Sequence, residues 1–194
     1  MIRWFCLLLL LLSANGFAAG SFDQLKQITT ATGDLSGSFT QDKYLNALDA
    51  TLTSTGTFSY QRKVSVRWQT LEPIESEFLM TPTEMVSRQD DQELFRMKSG
   101  DNPIVEILNR IFFSVLTAEW ESLSQYFQVV DGTIEAEHWQ VELIPLDNSI
   151  LQVVSRVELK GDRFMRTIIL HEKQGNRTTI DFSDLVASSS DSRE

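Results

Sequence analysis

Hydrophobic and polar residues change period several times along the chain, and each change marks a predicted element. Ser21 and Gln24 have capping-box spacing, and Phe22, Leu25 and Ile28 recur at helical intervals, so a short helix opens the folded part. Thr29, Thr30, Thr32 and Gly33 end it, and the period becomes two. Between Asp34 and Tyr44, Leu35, Gly37 and Phe39 alternate with Ser36, Ser38 and Thr40. After a turn at Asn46 and Asp49, Thr51, Thr53, Thr55 and Thr57 take one face and Leu52, Ser54, Gly56, Phe58 and Tyr60 the other. Val64, Val66 and Trp68 alternate with Ser65 and Arg67. Such alternation predicts strands with one wet and one dry face. Further short strands are predicted at 76–80, 84–88 and 93–97.

The middle of the chain breaks this rhythm. Asn102-Pro103 is a cap followed by proline at the first helical position. Ile104, Ile107, Leu108, Ile111, Phe112, Val115 and Leu116 then keep helical spacing for over three turns, and Trp120 with Leu123 predicts a second short helical turn. Strands resume at Phe127–Val129 and at Trp139–Leu143, the latter stopped by Pro145. Leu151, Val153, Ser155, Val157 and Leu159 predict one long strand. Phe164 to His171 returns, Gly175-Asn176 turns, and Thr178, Ile180 and Phe182 close the sheet. The sequence shows neither an internal repeat nor a linker, so residues 21–186 are expected to form a single domain and 187–194 a disordered polar tail. Ten or so short strands with tight turns predict a meander, barrel or sandwich, and the apolar central helix needs a surface to cover.

The N-terminus changes the picture by fixing a compartment. A basic start at Arg3, the run Leu7 to Leu12 and the small-residue exit Phe17-Ala18-Ala19-Gly20 form a secretory signal, cleaved after Ala18 or Gly20. The apolar run falls short of the roughly 20 residues that span a bilayer. The only cysteine, Cys6, precedes the leucines and leaves with the signal, so no disulfide, lipid-anchoring thiol or thiolate metal site is expected in the mature chain. About 174 residues then remain, ample for one core. Losing Arg3 leaves 16 basic residues against 27 acidic, a net charge of −11. That balance argues against nucleic acid and against resting on an anionic membrane.

Chemistry-bearing patterns are missing from the sequence. His138 and His171 stand 33 residues apart on predicted strands without a second ligand type nearby. The acidic group Asp90, Asp91 and Glu93 reads as a solvated turn, and no nucleophile elbow, phosphate loop or paired-histidine helix occurs. No catalytic residue, metal or cofactor is expected, and a non-catalytic binding protein is the reading.

One stretch is more specific. Gly37-Ser38-Phe39-Thr40-Gln41 is followed by a strand running from Gly56 through Phe58 to Arg62, then a strand carrying Trp68, then Pro73. In order and spacing this resembles the periplasmic lipoprotein carrier family, LolA, with residue-level matching over about Phe39–Ser76. The resemblance implies a mainly β fold with α: an incomplete, strongly curved antiparallel β-barrel of about 10–11 strands, with an N-terminal helix and a central helical lid. It implies an apolar cavity for acyl chains walled by Phe39, Phe58, Trp68 and Phe78, with Leu108, Ile111 and Phe112 on the lid. Arg62 matches the family arginine that holds the lid closed, although Lys63 stands where the family normally has proline. The implied function is that of a monomeric periplasmic carrier ferrying lipoproteins from an inner-membrane donor complex to an outer-membrane acceptor. The alternatives are a relative serving another envelope lipid and a non-catalytic envelope scaffold.

Overall fold

A computed structural model of the chain describes residues 21–29, 33–62, 64–90, 92–98 and 111–188. Residues 1–20, which hold the expected signal, Ile104, Ile107 and Leu108 of the central apolar stripe, and residues 189–194 lie outside the described residues.

Helix α1, Phe22–Ile28, begins with the capping box read from the sequence: the Ser21 hydroxyl accepts from the Gln24 N–H, and the Gln24 side chain accepts from the Ser21 N–H. Six strands follow, β1 (Asp34–Leu45), β2 (Ala50–Gln61), β3 (Ser65–Glu72), β4 (Ser76–Met80), β5 (Glu84–Gln89) and β6 (Gln92–Lys98). A helical segment at residues 111–117, α2, and the single turn α3, Trp120–Leu123, separate these from β7 (Phe127–Ile134) and β8 (Trp139–Pro145). The turn α4, Asn148–Leu151, precedes β9 (Val154–Gly161), β10 (Met165–Glu172) and β11 (Arg177–Ser188).

All eleven strands join one antiparallel sheet in the order β6-β5-β4-β3-β2-β1-β11-β10-β9-β8-β7. Each half is a meander, and the pairing of β1 with β11 sews the halves together at the centre. The sheet is not closed, so β6 and β7 are its edges. The expected mainly β, incomplete barrel with helices between its halves is therefore the architecture found.

One face of this sheet carries the core, and Gln41, Lys43 and Ser54 interrupt it towards the β1–β2 turn. Register places Leu35, Tyr60, Val66, Met80 and Met85 in one row across β1 to β5, and Ile180, Ile168, Leu159 and Val141 in another across β11 to β8. Leu25, Val115, Leu116, Trp120 and Leu123 from the helices join these rows in one core. The other face carries the strand threonines and ion pairs such as Arg67–Glu77–Arg88. That division is what the alternation of the sequence predicts.

Two expectations are corrected. Leu151 and Val153 do not extend β9: Asp147 caps α4 through the Ser149 N–H, and Val153 ends exposed. An N-cap followed by one turn satisfies local backbone donors, and this outweighs apolar alternation spanning only two residues. At the other end β11 runs through Ser188, two residues into the tail expected to be disordered, because Ala187 and Ser188 pair with Leu35 and Asp34.

Candidate functional site

The site begins with small residues that let large ones approach the backbone. Gly56 lies opposite Phe39 in the β1–β2 ladder. A Cβ on Gly56 would stand 2.0 Å from the Gln69 carbonyl oxygen and 2.8 Å from Phe39 Cζ. The phenyl ring therefore occupies space that only glycine leaves open.

From there an aromatic cluster spreads over the sheet. The rings of Phe39 and Trp68 stack with centroids 3.9 Å apart and planes 27° apart. Phe58 tilts against Trp68 at 6.1 Å and meets Phe182 edge-on at 5.2 Å, and Phe182 meets Trp68 nearly perpendicularly at 6.0 Å. Register extends the Phe58–Trp68 row to Phe78 on β4, whose ring lies 6.0 Å from that of Phe95 on the edge strand. Offset and edge-to-face arrangements of this kind satisfy the ring quadrupoles and exclude water.

The helical layer closes on the same cluster. Phe112 of α2 points its ring edge at Trp68, 5.9 Å away, and the neighbouring Phe113 meets Tyr60 at 5.9 Å. Ile111 is half-buried beside them and packs against the same core. A second clip lies in the helices: the Trp120 indole N–H donates to the Thr29 hydroxyl at 2.7 Å, which itself donates to the Leu25 carbonyl. Trp120 also meets Trp139 edge-on at 5.4 Å.

Of the residues expected to line an acyl site, Phe39, Phe58, Trp68 and Phe112 are thus brought into one cluster, Phe78 borders it, Ile111 packs close by, and Leu108 lies outside the described residues. Phe182 completes the group and was read from the sequence only as part of a closing strand. Its alternation with Ile180 is visible in the sequence, but its place beside Phe58 depends on the β1–β11 pairing. Arg62 is exposed in the turn after β2, two residues beyond Tyr60, and its backbone N–H donates to the Asp34 carboxylate at 2.9 Å. Among the described residues the Arg62 guanidinium has no hydrogen bond or ion pair.

Polar features lie away from this cluster. A cleft of about 480 Å³, bordered by Glu135, His138, Lys160 and Arg166, sits at the end of β7 to β10. There Asp162 accepts from the Phe164 N–H and Arg166 Nε. Burial alone would raise the Asp162 pKa, but these bonds together hold it below the ordinary carboxylate value. His171 Nε2 lies 2.7 Å from Glu158 Oε1, whereas His138 is exposed on the β7–β8 turn. Among the described residues no group of three His, Cys, Asp or Glu side chains could hold a metal ion, and no helix is long and apolar enough to cross a membrane.

Fold and site together define a class: an open antiparallel sheet whose helices gather on an aromatic-lined face, the architecture of lipid- and lipoprotein-binding carriers. The sequence pattern of the outer membrane lipoprotein carrier protein LolA family matches residues 30–193, and the chain belongs to that family. Carriers of this family are periplasmic and generally non-catalytic. No curated protein matches the chain. Among solved structures, a LolA superfamily protein from Nitrosomonas europaea is similar at 12% identity, covering 87% of this chain and 92% of its own, with a TM-score of 0.47. MucB is similar at 16% identity over 89% of this chain and 60% of its own, with a TM-score of 0.47. A DUF1329 family protein from Desulfovibrio piger shares 10% identity over 87% and 92% of the two chains, with a TM-score of 0.43.

Proposed function

We propose that the chain is a monomeric periplasmic carrier that shelters lipoprotein acyl chains between the aromatic face of its sheet and the α2 cover. It receives them from an inner-membrane donor and passes them to an outer-membrane acceptor. The observation that carries this reading is the seam where Phe112 meets Trp68. It joins helix to sheet ring against ring, so a hydrocarbon chain that displaces Phe112 meets the same apolar surroundings. Burying a 16-carbon chain gains on the order of 12 kcal/mol gross at about 0.8 kcal/mol per methylene. Uncovering the sheet opposes that gain, because the helix has its own favourable contacts in the closed form. A cover that competes with cargo lowers net affinity and makes release feasible.

The gating role of Arg62 in this reading is taken from its match to the family arginine. Arg62 stands at the end of β2, close to where Tyr60 meets Phe113. A guanidinium there can reach several acceptors at once when cover and sheet shift.

A lipopeptide with brominated acyl chains tests the reading, since bromine quenches tryptophan on contact. The expected result is saturable quenching of the wild type and a smaller quench in Trp68→Phe, where Trp120 and Trp139 alone report. Arg62→Leu is expected to change the rate of lipopeptide release while leaving the melting temperature in place. Quenching that is absent, or equal in wild type and Trp68→Phe, would sink the proposal.

A further inference from the structure

At one end of the sheet the chain turns between β1 and β2, β3 and β4, β5 and β6, β8 and β9, and β10 and β11. Large apolar side chains stand exposed on three of these tips: Leu48 and Leu52 (71% and 59% exposed), Leu71 and Ile74 (49% and 61%), and Leu146 and Val153 (53% and 62%). A single exposed leucine is ordinary on a protein surface, but a group of six at one end of a sheet calls for a partner phase.

The β10–β11 tip is polar and ties two of the others together. The Asn46 N–H donates to Asn176 Oδ1, and Asn46 Nδ2 donates to the Gln174 carbonyl. On the far side the Lys173 N–H donates to the Val153 carbonyl. The β1–β2 and β8–β9 tips are therefore held through it.

Three features select the occupant. Leu48, Ile74, Leu146 and Val153 sit on turns and Leu52 and Leu71 in the adjoining strand ends, while the cleft of about 410 Å³ that opens at this end is lined by polar and charged side chains, among them Glu75, Glu77, Arg88 and Asp90. Protruding apolar tips suit a fluid phase that closes round them. Leu52 lies on the same face of β2 as Phe58, with Ser54 and Gly56 between them. Asp49, Glu72, Glu75 and Asp147 stand among the tips, and acidic groups are repelled by anionic lipid surfaces.

We infer that this end of the protein docks on a lipid bilayer of low net charge, with the six side chains entering its interfacial layer. Docking itself stands on the rim alone. The further statement that cargo moves from the bilayer along β2 to the aromatic face rests on the function proposed above.

Flotation with phosphatidylcholine vesicles, alone or mixed with phosphatidylglycerol, tests the inference on the mature chain. Binding to pure phosphatidylcholine is expected, insensitive to salt and weakened by phosphatidylglycerol. The double variant Leu52→Ser/Ile74→Ser is expected to bind about tenfold more weakly with an unchanged melting temperature. Val64→Ser/Val186→Ser, exposed sites at the other end of the sheet, is expected to bind as wild type does. Failure of the wild type to float overturns the inference, as does equal weakening by both double variants. So does binding confined to anionic vesicles and lost in salt. Dimerisation that the Leu52→Ser/Ile74→Ser change abolishes, with no flotation, would assign this end to a second copy and overturn the inference too. Bromolipid quenching without vesicles reads cargo binding separately, so quenching without flotation removes this inference and leaves the carrier function in place.

Discussion

Replacing Thr29 by valine isolates the contribution of one hydrogen bond to the helical cover. Thr29 caps α1, and its hydroxyl accepts from the indole of Trp120, which is only 1% exposed. Valine has nearly the same shape, so no cavity opens. The Leu25 carbonyl loses the Thr29 hydroxyl but keeps the Thr29 N–H at 3.0 Å. What changes is the indole N–H, left buried without its acceptor. An unsatisfied buried donor costs about 1–3 kcal/mol. In a domain of this size 1 kcal/mol corresponds to about 2–4 °C, so the melting temperature should fall by about 2–12 °C. Urea unfolding followed by tryptophan emission should give a lower midpoint with an unchanged slope. Thr29→Ser keeps the hydroxyl and should retain most of the stability. A valine variant within about 0.5 kcal/mol of wild type would refute this reasoning. So would a serine variant as damaged as the valine one, because packing and not the hydrogen bond would then be responsible.

Trp68→Ala removes a buried indole from four aromatic neighbours and should cost about 3–5 kcal/mol, measured by chemical denaturation, with loss of near-ultraviolet circular dichroism. Gly56→Ala should leave little soluble protein, since its methyl group would collide with the Gln69 backbone carbonyl as well as Phe39; a normal yield with wild-type melting would contradict the close approach. Because the folded-state pKa of Asp162 is lowered, its ionised form contributes stability above the unfolded carboxylate pKa, about 3.9, and that contribution is lost as pH falls through the folded value. Asp162→Asn should therefore melt below wild type at neutral pH, and the gap should close in acid; a gap independent of pH would contradict this assignment.

Local chemistry was legible where it acts over short distances. The Ser21–Gln24 box, the turn at Asn46 and Asp49 and the alternation of Phe58 and Tyr60 with threonines each depend on near neighbours. The short turn at Asn148–Leu151 was hidden because Leu151 and Val153 continue the spacing of the strand beyond them. For the site, Phe39, Phe58 and Trp68 were grouped through the family resemblance, and the register of β1, β2 and β3 brings them together. Phe182 and the Trp120–Thr29 bond could not be placed from local pattern. The first needs the pairing of β1 with β11, and the second joins residues 91 apart in sequence. The exposed rim was equally hidden, since alternation says which face a residue takes and not which strand ends gather together.

The junction of β1 with β11 has a consequence for how the molecule is made. When the chain emerges with its beginning first, the early meander must wait with its aromatic side bare until almost the last residue has appeared. Only then can the central seam zip shut and the second half swing into place. Pairing across so much sequence is slow to form, and the waiting intermediate offers attachment sites to any bystander with a greasy surface. A lipid handler built in this order is itself in need of shelter before it can give any.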